Sequence, residues 1–175
     1  MITDVVMPQP ISAASVSAAL NTLVYTSAQS SGTDLYALAL VDEFLDDTSF
    51  PPNLHDRRYA LSCLLVRLIT ERFEHLAHIF QLALPPEDEP YHEALISIRS
   101  HSQRQNPELI GFSWLYYHYV RAELNISMTV FSEACYINKR TLRRYQWHVI
   151  RRLTYLLIER EWETRRLRRA AHDSR

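Results

Sequence analysis

Two glycines in 175 residues, Gly32 and Gly111, constrain this chain more than any other feature. Tight hairpin turns draw on glycine because it adopts positive φ without steric cost, and phosphate-cradling loops need runs of it. A chain with two has room for neither a hairpin-rich architecture nor a Gly-rich nucleotide loop. Helices need little glycine. The expected fold is all-α, a multi-helix bundle, in a chain long enough for one well-cored domain or for two small lobes sharing a core.

Prolines and capping residues divide the chain. Residues 1–10, with Pro8 and Pro10, read as a loose arm, and residues 11–30 as a weak helix with Leu20, Leu23 and Val24 on one face. From Asp34, DLYALALVDEFL places Leu35, Leu38, Val41 and Leu45 along one helical stripe, with Asp34 as cap. Pro51 and Pro52 break it. Residues 56–84 are apolar around most of a helical circumference as far as Val66, which predicts a central helix ended by Pro85 and Pro86. Pro90 opens the next helix, and the polar link SQRQ closes it. Asn106 followed by Pro107 is a cap and first residue, with Trp114, Leu115, Tyr119 and Val120 directed inward. The division expected is a weakly ordered segment 1–33, an acidic helical domain 34–104, and a domain 105–175 ending in a long basic helix.

The net charge of −1 hides a polarity. From Asn138 onward, twelve Lys or Arg stand against four Asp or Glu, a net of +8, and the preceding residues carry −9. Such a basic end is built to meet nucleic acid, an acidic protein, or the acidic half of its own chain.

The stretch ISMTVFSEACYINKRTLRRYQ, residues 126–146, has the layout of a helix-turn-helix. Ser127 caps a short helix, Tyr136 and Ile137 make a turn, and Asn138 caps a second helix from Lys139. Phe131, Ile137, Leu142 and Tyr145 fall where such a unit buries apolar side chains. With Leu142 and Tyr145 inward, Lys139, Arg140, Arg143 and Arg144 face out, and arginine suits both phosphate and the guanine edge. Arg151 and Arg152 extend the cationic footprint along the same helix.

These residues resemble the helix-turn-helix of bacterial transcription regulators and sigma-factor-like proteins. With YYHYVRAELNIS before it and HVIRRLTYLLIEREWE after it, the stretch is similar to modules attached to bacterial STAND-type signalling ATPases, over roughly residues 105–165. The resemblance implies that Lys139, Arg140 and Arg143 approach bases, and that Ser127, Thr129 and Arg144 contact phosphate. The family's small residue in the first helix and glycine in the turn are here Ser132 and Tyr136. A tyrosine held at φ > 0 costs on the order of 1 kcal/mol or more.

Other constellations lead to no chemistry. Glu71, Glu74, His75 and His78 share a helix face, but no second Glu-x-x-His cluster completes a metal site, so no metal is expected. The aromatic run FSWLYYHYV has only His118 and Arg121 as basic neighbours and reads as helix packing rather than base stacking. Ser100, His101 and Ser102 lie together in a polar link with nothing to orient them, and Asp46 and Asp47 read as solvated. No catalytic residues, enzyme activity or cofactor are expected. Cys63 and Cys135 read as reduced, buried thiols. No apolar run approaches the roughly 20 residues of a membrane span and no secretory leader is visible, so a cytoplasmic location away from membranes is expected.

Leu142, Tyr145, Val149, Leu153 and Leu156 form a heptad-like stripe on the last helix. It either buries against its own domain or makes a homodimer seam that presents two basic helices to two half-sites. Beyond it, REWETRRLRRAAHDSR is expected to fray. The function expected is double-stranded DNA binding, as a transcription regulator or the DNA-facing module of a bacterial signalling system. The alternative is a protein-interaction adaptor in a bacterial signalling or defence complex, using the basic helix on an acidic protein partner.

Overall fold

The computed structural model describes residues 11–24, 33–46 and 53–173. The loose arm at 1–10, the end of the first expected helix at 25–30, Gly32 and the break at Pro51 and Pro52 lie outside the described residues. Those described form seven α-helices and no strand: α1 Ala13–Val24, α2 Ala39–Leu45, α3 Leu54–Ile79, α4 Tyr91–Ser102, α5 Pro107–Leu115, α6 Met128–Cys135 and α7 Lys139–Asp173. The fold is all-α with a long last helix, as the glycine count dictates.

Local chemistry starts the helices. Asn53 and Asp56 form a reciprocal capping box at α3, each side chain accepting from the other's backbone N–H at 3.0 Å. Asn106 accepts from the N–H of Leu109 at 2.9 Å, with Pro107 as the first residue of α5. Helix ends depart further from expectation. Pro85 and Pro86 do not terminate α3. It stops at Ile79, where Gln81 turns left-handed at φ 54° and the N–H of Leu82 reaches back to the carbonyl of Ala77.

Two helices share the centre: α3 packs on several sides as expected, against α1, α2, α5 and α7, and α5 is the more completely enclosed. Every residue of α5 from Leu109 to Leu115 is buried, whereas α3 buries only part of its surface, including Leu61, Leu65, Leu68 and Phe73. Helices α3, α4 and α7 surround α5. Gly111 is what lets α7 come close: a Cβ there would lie 2.5 Å from Val149 Cγ1 and 3.1 Å from the carbonyl oxygen of Tyr145. The heptad-like stripe of α7 is spent on this packing. Leu142, Val149 and Leu153 are fully buried in the common core, with Tyr145 and Leu156 half-buried against it. After Leu115 the α-helix widens to a π-turn, in which the N–H of Arg121 bonds the carbonyl of Tyr116, and Ala122–Leu124 tighten to a 3-10 turn.

The stripe expected to run as one helix from Asp34 is interrupted. Leu35, Leu38, Val41 and Leu45 are all buried, but a 3-10 turn at Thr33–Ala37 gives way to α2 only at Ala39, because Leu38 is extended. Leu38 offers no side-chain cap. The cap comes from α7: the buried Glu161 carboxylate accepts the N–H groups of Ala39 at 2.9 Å and Leu40 at 3.0 Å, and Arg165 donates to it at 2.6 Å. The C-terminal stretch therefore does not fray as far as Asp173. Thr164 donates to Glu43, Arg160 pairs with Glu71, and Arg168 lies between Asp42 and Asp46. Asp46 is thus ion-paired at 3.3 Å rather than merely solvated.

Two polar clusters are sealed inside. His101 is not in a link; it lies in α4, is buried, and shares a 2.9 Å hydrogen bond with Ser113. Burial lowers its imidazole to about 4. The Glu89 carboxylate accepts from Ser97 at 2.6 Å and Tyr117 at 2.9 Å, while Arg121 donates to the carbonyls of Pro86 and Glu89. Cys135 is buried, which pushes its thiol up to about 12, but Cys63 is only half-buried. No helix among the described residues is long and apolar enough to cross a membrane.

Candidate nucleic-acid interface

The short helix α6 and the start of α7 occupy the positions read from the sequence. Ser127 caps α6, its hydroxyl accepting from the N–H of Val130 at 3.3 Å, and Asn138 caps α7, accepting from Thr141 at 2.8 Å. Between them the chain turns through Tyr136 at φ 55°. The N–H of Ile137 bonds the carbonyl of Ser132 and that of Tyr136 bonds Glu133, which closes α6 as a Schellman turn. Position 136 thus keeps the left-handed backbone that glycine would favour. Strain of about 1–2 kcal/mol is expected there, set against the Arg99 guanidinium lying 5.0 Å from the centre of the exposed Tyr136 ring.

Beneath the turn, α6 packs on α4 and α7. Phe131 is fully buried, edge-on to Trp114 at 5.3 Å between ring centres, and Ile137 is half-buried against the same core. Ser132 fits because it is small and internally satisfied: it is buried, and its hydroxyl donates to the carbonyl of Thr129 at 2.9 Å. The helix pair thereby rests on α5 through the close approach at Gly111, a rigid footing for whatever its outer surface does.

Every candidate contact residue is exposed: Ser127, Thr129, Lys139, Arg140, Arg143, Arg144, Arg151 and Arg152. They are not equivalent. Arg152 lies 3.9 Å from Glu108, which Arg72 already holds at 2.6 Å, so it is tied to the body of the bundle. Arg144 rests over the Tyr145 ring at 5.7 Å. Lys139, Arg140, Arg143 and Arg151 have no ion pair among the described residues. The hydroxyl of Ser127 is engaged in its cap, while Thr129 stands free on the first turn of α6.

Lys139 and Arg140 occupy the first turn of α7, which contains no acidic residue. A cation there opposes the positive end of the helix dipole and costs a few tenths of a kcal/mol or more. The pairs Lys139–Arg143 and Arg140–Arg144 add i,i+4 repulsion of about 0.2–0.5 kcal/mol each. The segment 139–152 carries six Lys or Arg and no Asp or Glu. Beyond it, Arg160, Arg165 and Arg168 are all neutralised by acids of the same chain. Four of the twelve basic residues from Asn138 onward, Arg152, Arg160, Arg165 and Arg168, are therefore paired within the chain, and Lys139, Arg140, Arg143 and Arg144 stand uncompensated where α6 meets α7.

Among the described residues no group of three or more His, Cys, Asp or Glu is placed to hold a metal ion. Glu71 bridges Arg67 at 2.8 Å and Arg160 at 3.2 Å, while Glu74, His75 and His78 are exposed on α3. The aromatic run is packing, as its spacing implies: Trp114 and Tyr117 are buried, and Trp114 stacks on His118 at 4.3 Å. Three features escaped sequence reasoning. The Arg99–Tyr136 stack joins residues 37 apart in the chain, and Glu161 looks like one more charge in a charged tail. The exposure of Trp147 was recoverable once Leu142 and Val149 were placed inward, because helical periodicity then turns Trp147 out. Compared with protein-family models, curated proteins and solved structures, the chain matches none.

Proposed function

We propose that this chain binds double-stranded DNA through α6 and α7, as a transcription regulator or as the DNA-facing part of a bacterial signalling system. One observation carries the reading. The first turns of α7 hold Lys139, Arg140, Arg143 and Arg144 where their charges work against the helix, without a compensating acid among the described residues. An anionic ligand would turn that cost into binding energy. Lys139, Arg140 and Arg143 then reach base edges from the N-terminal end of α7. Thr129 and the N-terminus of α6 at Ser127 meet phosphate, as does Arg144, and Arg151 adds to the electrostatic footprint.

Arginine in a major groove reads guanine through two donors, so a preference for sites containing guanine is expected. Selection of sites from a randomised duplex pool tests this. The wild-type chain should enrich a defined motif, and Arg143→Ala should relax it at one position at a cost of about 1–3 kcal/mol. Enrichment of no motif, with equal retention of every sequence, would remove base readout from the proposal.

A further inference from the structure

Opposite its buried stripe, α7 carries a second face that the described residues leave uncovered. Trp147, Tyr155 and Trp162 are 55%, 54% and 69% exposed, and all three project on one side of the helix. They span 15 residues, about 22 Å of helix. Ile158, half-buried, lies between the last two. An aromatic residue carries roughly 150–250 Å² of surface, of which each of these exposes more than half, so three on one face form an apolar patch on the order of a few hundred Å², the size that marks an interaction site.

The flanks of this patch are cationic. Arg151, Arg166 and Arg169 share its angular position, are exposed, and make no ion pair among the described residues. Of the acids on the helix, Glu161 is buried in the cap of α2, and Glu163 borders a groove of about 460 Å³ against α2 and α3. Glu159 lies exposed beside the patch, and Asp173 ends the helix on the same side, 11 residues beyond Trp162. The steps 147, 151, 155, 158, 162, 166 and 169 follow an 11-residue rhythm of about 3.67 residues per turn, close to that of a straight α-helix. A second straight helix can follow such a face for several turns without supercoiling.

We propose that the outer face of α7 docks an acidic amphipathic helix of a second protein. Apolar residues of that helix cover Trp147, Tyr155 and Trp162, while its carboxylates meet Arg151, Arg166 and Arg169. Two copies of this face brought together would set arginine against arginine, which disfavours self-association. DNA is disfavoured by length: with Lys139 at the bases, Trp162 lies about 35 Å further along the axis, past a major groove about 12 Å wide. The proposal shares Arg151 with the DNA reading and otherwise rests on residues outside it.

Two fluorescein-labelled 21-residue peptides serve as probes, with identical leucine stripes and either glutamate or lysine on the flanks. The full-length chain should bind the glutamate peptide in the micromolar range and the lysine peptide at least roughly tenfold more weakly. Tyr155→Ala/Trp162→Ala should reduce glutamate-peptide binding roughly tenfold or more. That variant should keep its helical circular dichroism, its melting temperature and its DNA affinity, because both side chains are more than half exposed. Arg140→Ala/Arg143→Ala should keep the peptide, which separates this surface from the proposed DNA-binding one. Failure to bind the glutamate peptide, or undiminished binding by the aromatic variant, would overturn the proposal. So would loss of DNA affinity in the aromatic variant, which would assign the face to nucleic acid. A wild-type dimer in sedimentation that the aromatic variant converts to monomer would assign it to a second copy.

Discussion

Replacing Arg140 by glutamate should move stability and DNA affinity in opposite directions. Arg140 is the second residue of α7, in a first turn without an acid and one helical turn before Arg144. An acid in place of a base at a helix N-terminus reverses the sign of the dipole interaction, a change of about 0.5–1.5 kcal/mol for an exposed group at low salt. The i,i+4 repulsion with Arg144 becomes a Glu–Arg attraction in the favourable order, worth about 0.5–1 kcal/mol in difference. The variant should therefore be more stable by roughly 1–2 kcal/mol, or about 2–8 °C in Tm for a chain of this size. Its DNA affinity should fall by about 1–3 kcal/mol or more, and the slope of log K against log salt should become shallower by about 1. Thermal melts at low ionic strength and anisotropy titrations over a salt series measure both arms. A Tm that falls, or a DNA affinity that does not change, refutes the reasoning.

Three further outcomes follow from the packing. Glu161→Ala leaves two amides of α2 and Arg165 without their acceptor, and should cost about 2–4 kcal/mol, with faster hydrogen exchange at Ala39 and Leu40 than at the core amides of α5. Gly111→Ala forces a methyl group against Val149 and should cost about 1–3 kcal/mol by chemical denaturation. Val149→Ala in the same chain should recover part of that loss, a coupling that independent sites would not display. His101 is held near 4 in the folded chain against an ordinary 6.5, so the unfolded chain binds more protons between those values. Stability should then be intact above pH 6.5 and decline by up to about 3 kcal/mol as pH falls towards 4. His101→Phe should flatten that part of the profile.

Local signals carried the helix starts, because a cap is short-range chemistry. Asn53, Asn106, Ser127 and Asn138 each satisfy an N–H three residues on, and sequence alone locates three of these four caps. The inward stripe of α7 was legible for the same reason, since period and burial coincide there. What stayed hidden depends on contacts distant in the chain. The complete enclosure of α5 follows from the three helices packed around it, α3, α4 and α7, which its own short apolar run does not identify. The cap of α2 is supplied by Glu161, more than a hundred residues away, inside a segment whose composition reads as a solvated tail. At the candidate interface, position and exposure could be read, but not which arginines the fold already neutralises. Arg152 looks the same as Arg151 in sequence until Glu108 is placed beside it.

The most direct test of the central claim is an anisotropy titration of the purified chain against random and genomic duplex DNA, with Arg140→Ala/Arg143→Ala alongside. The account predicts submicromolar binding at physiological salt that the double variant loses while its melting temperature is kept. Absence of binding even at low salt, or binding that the double variant retains, would contradict it.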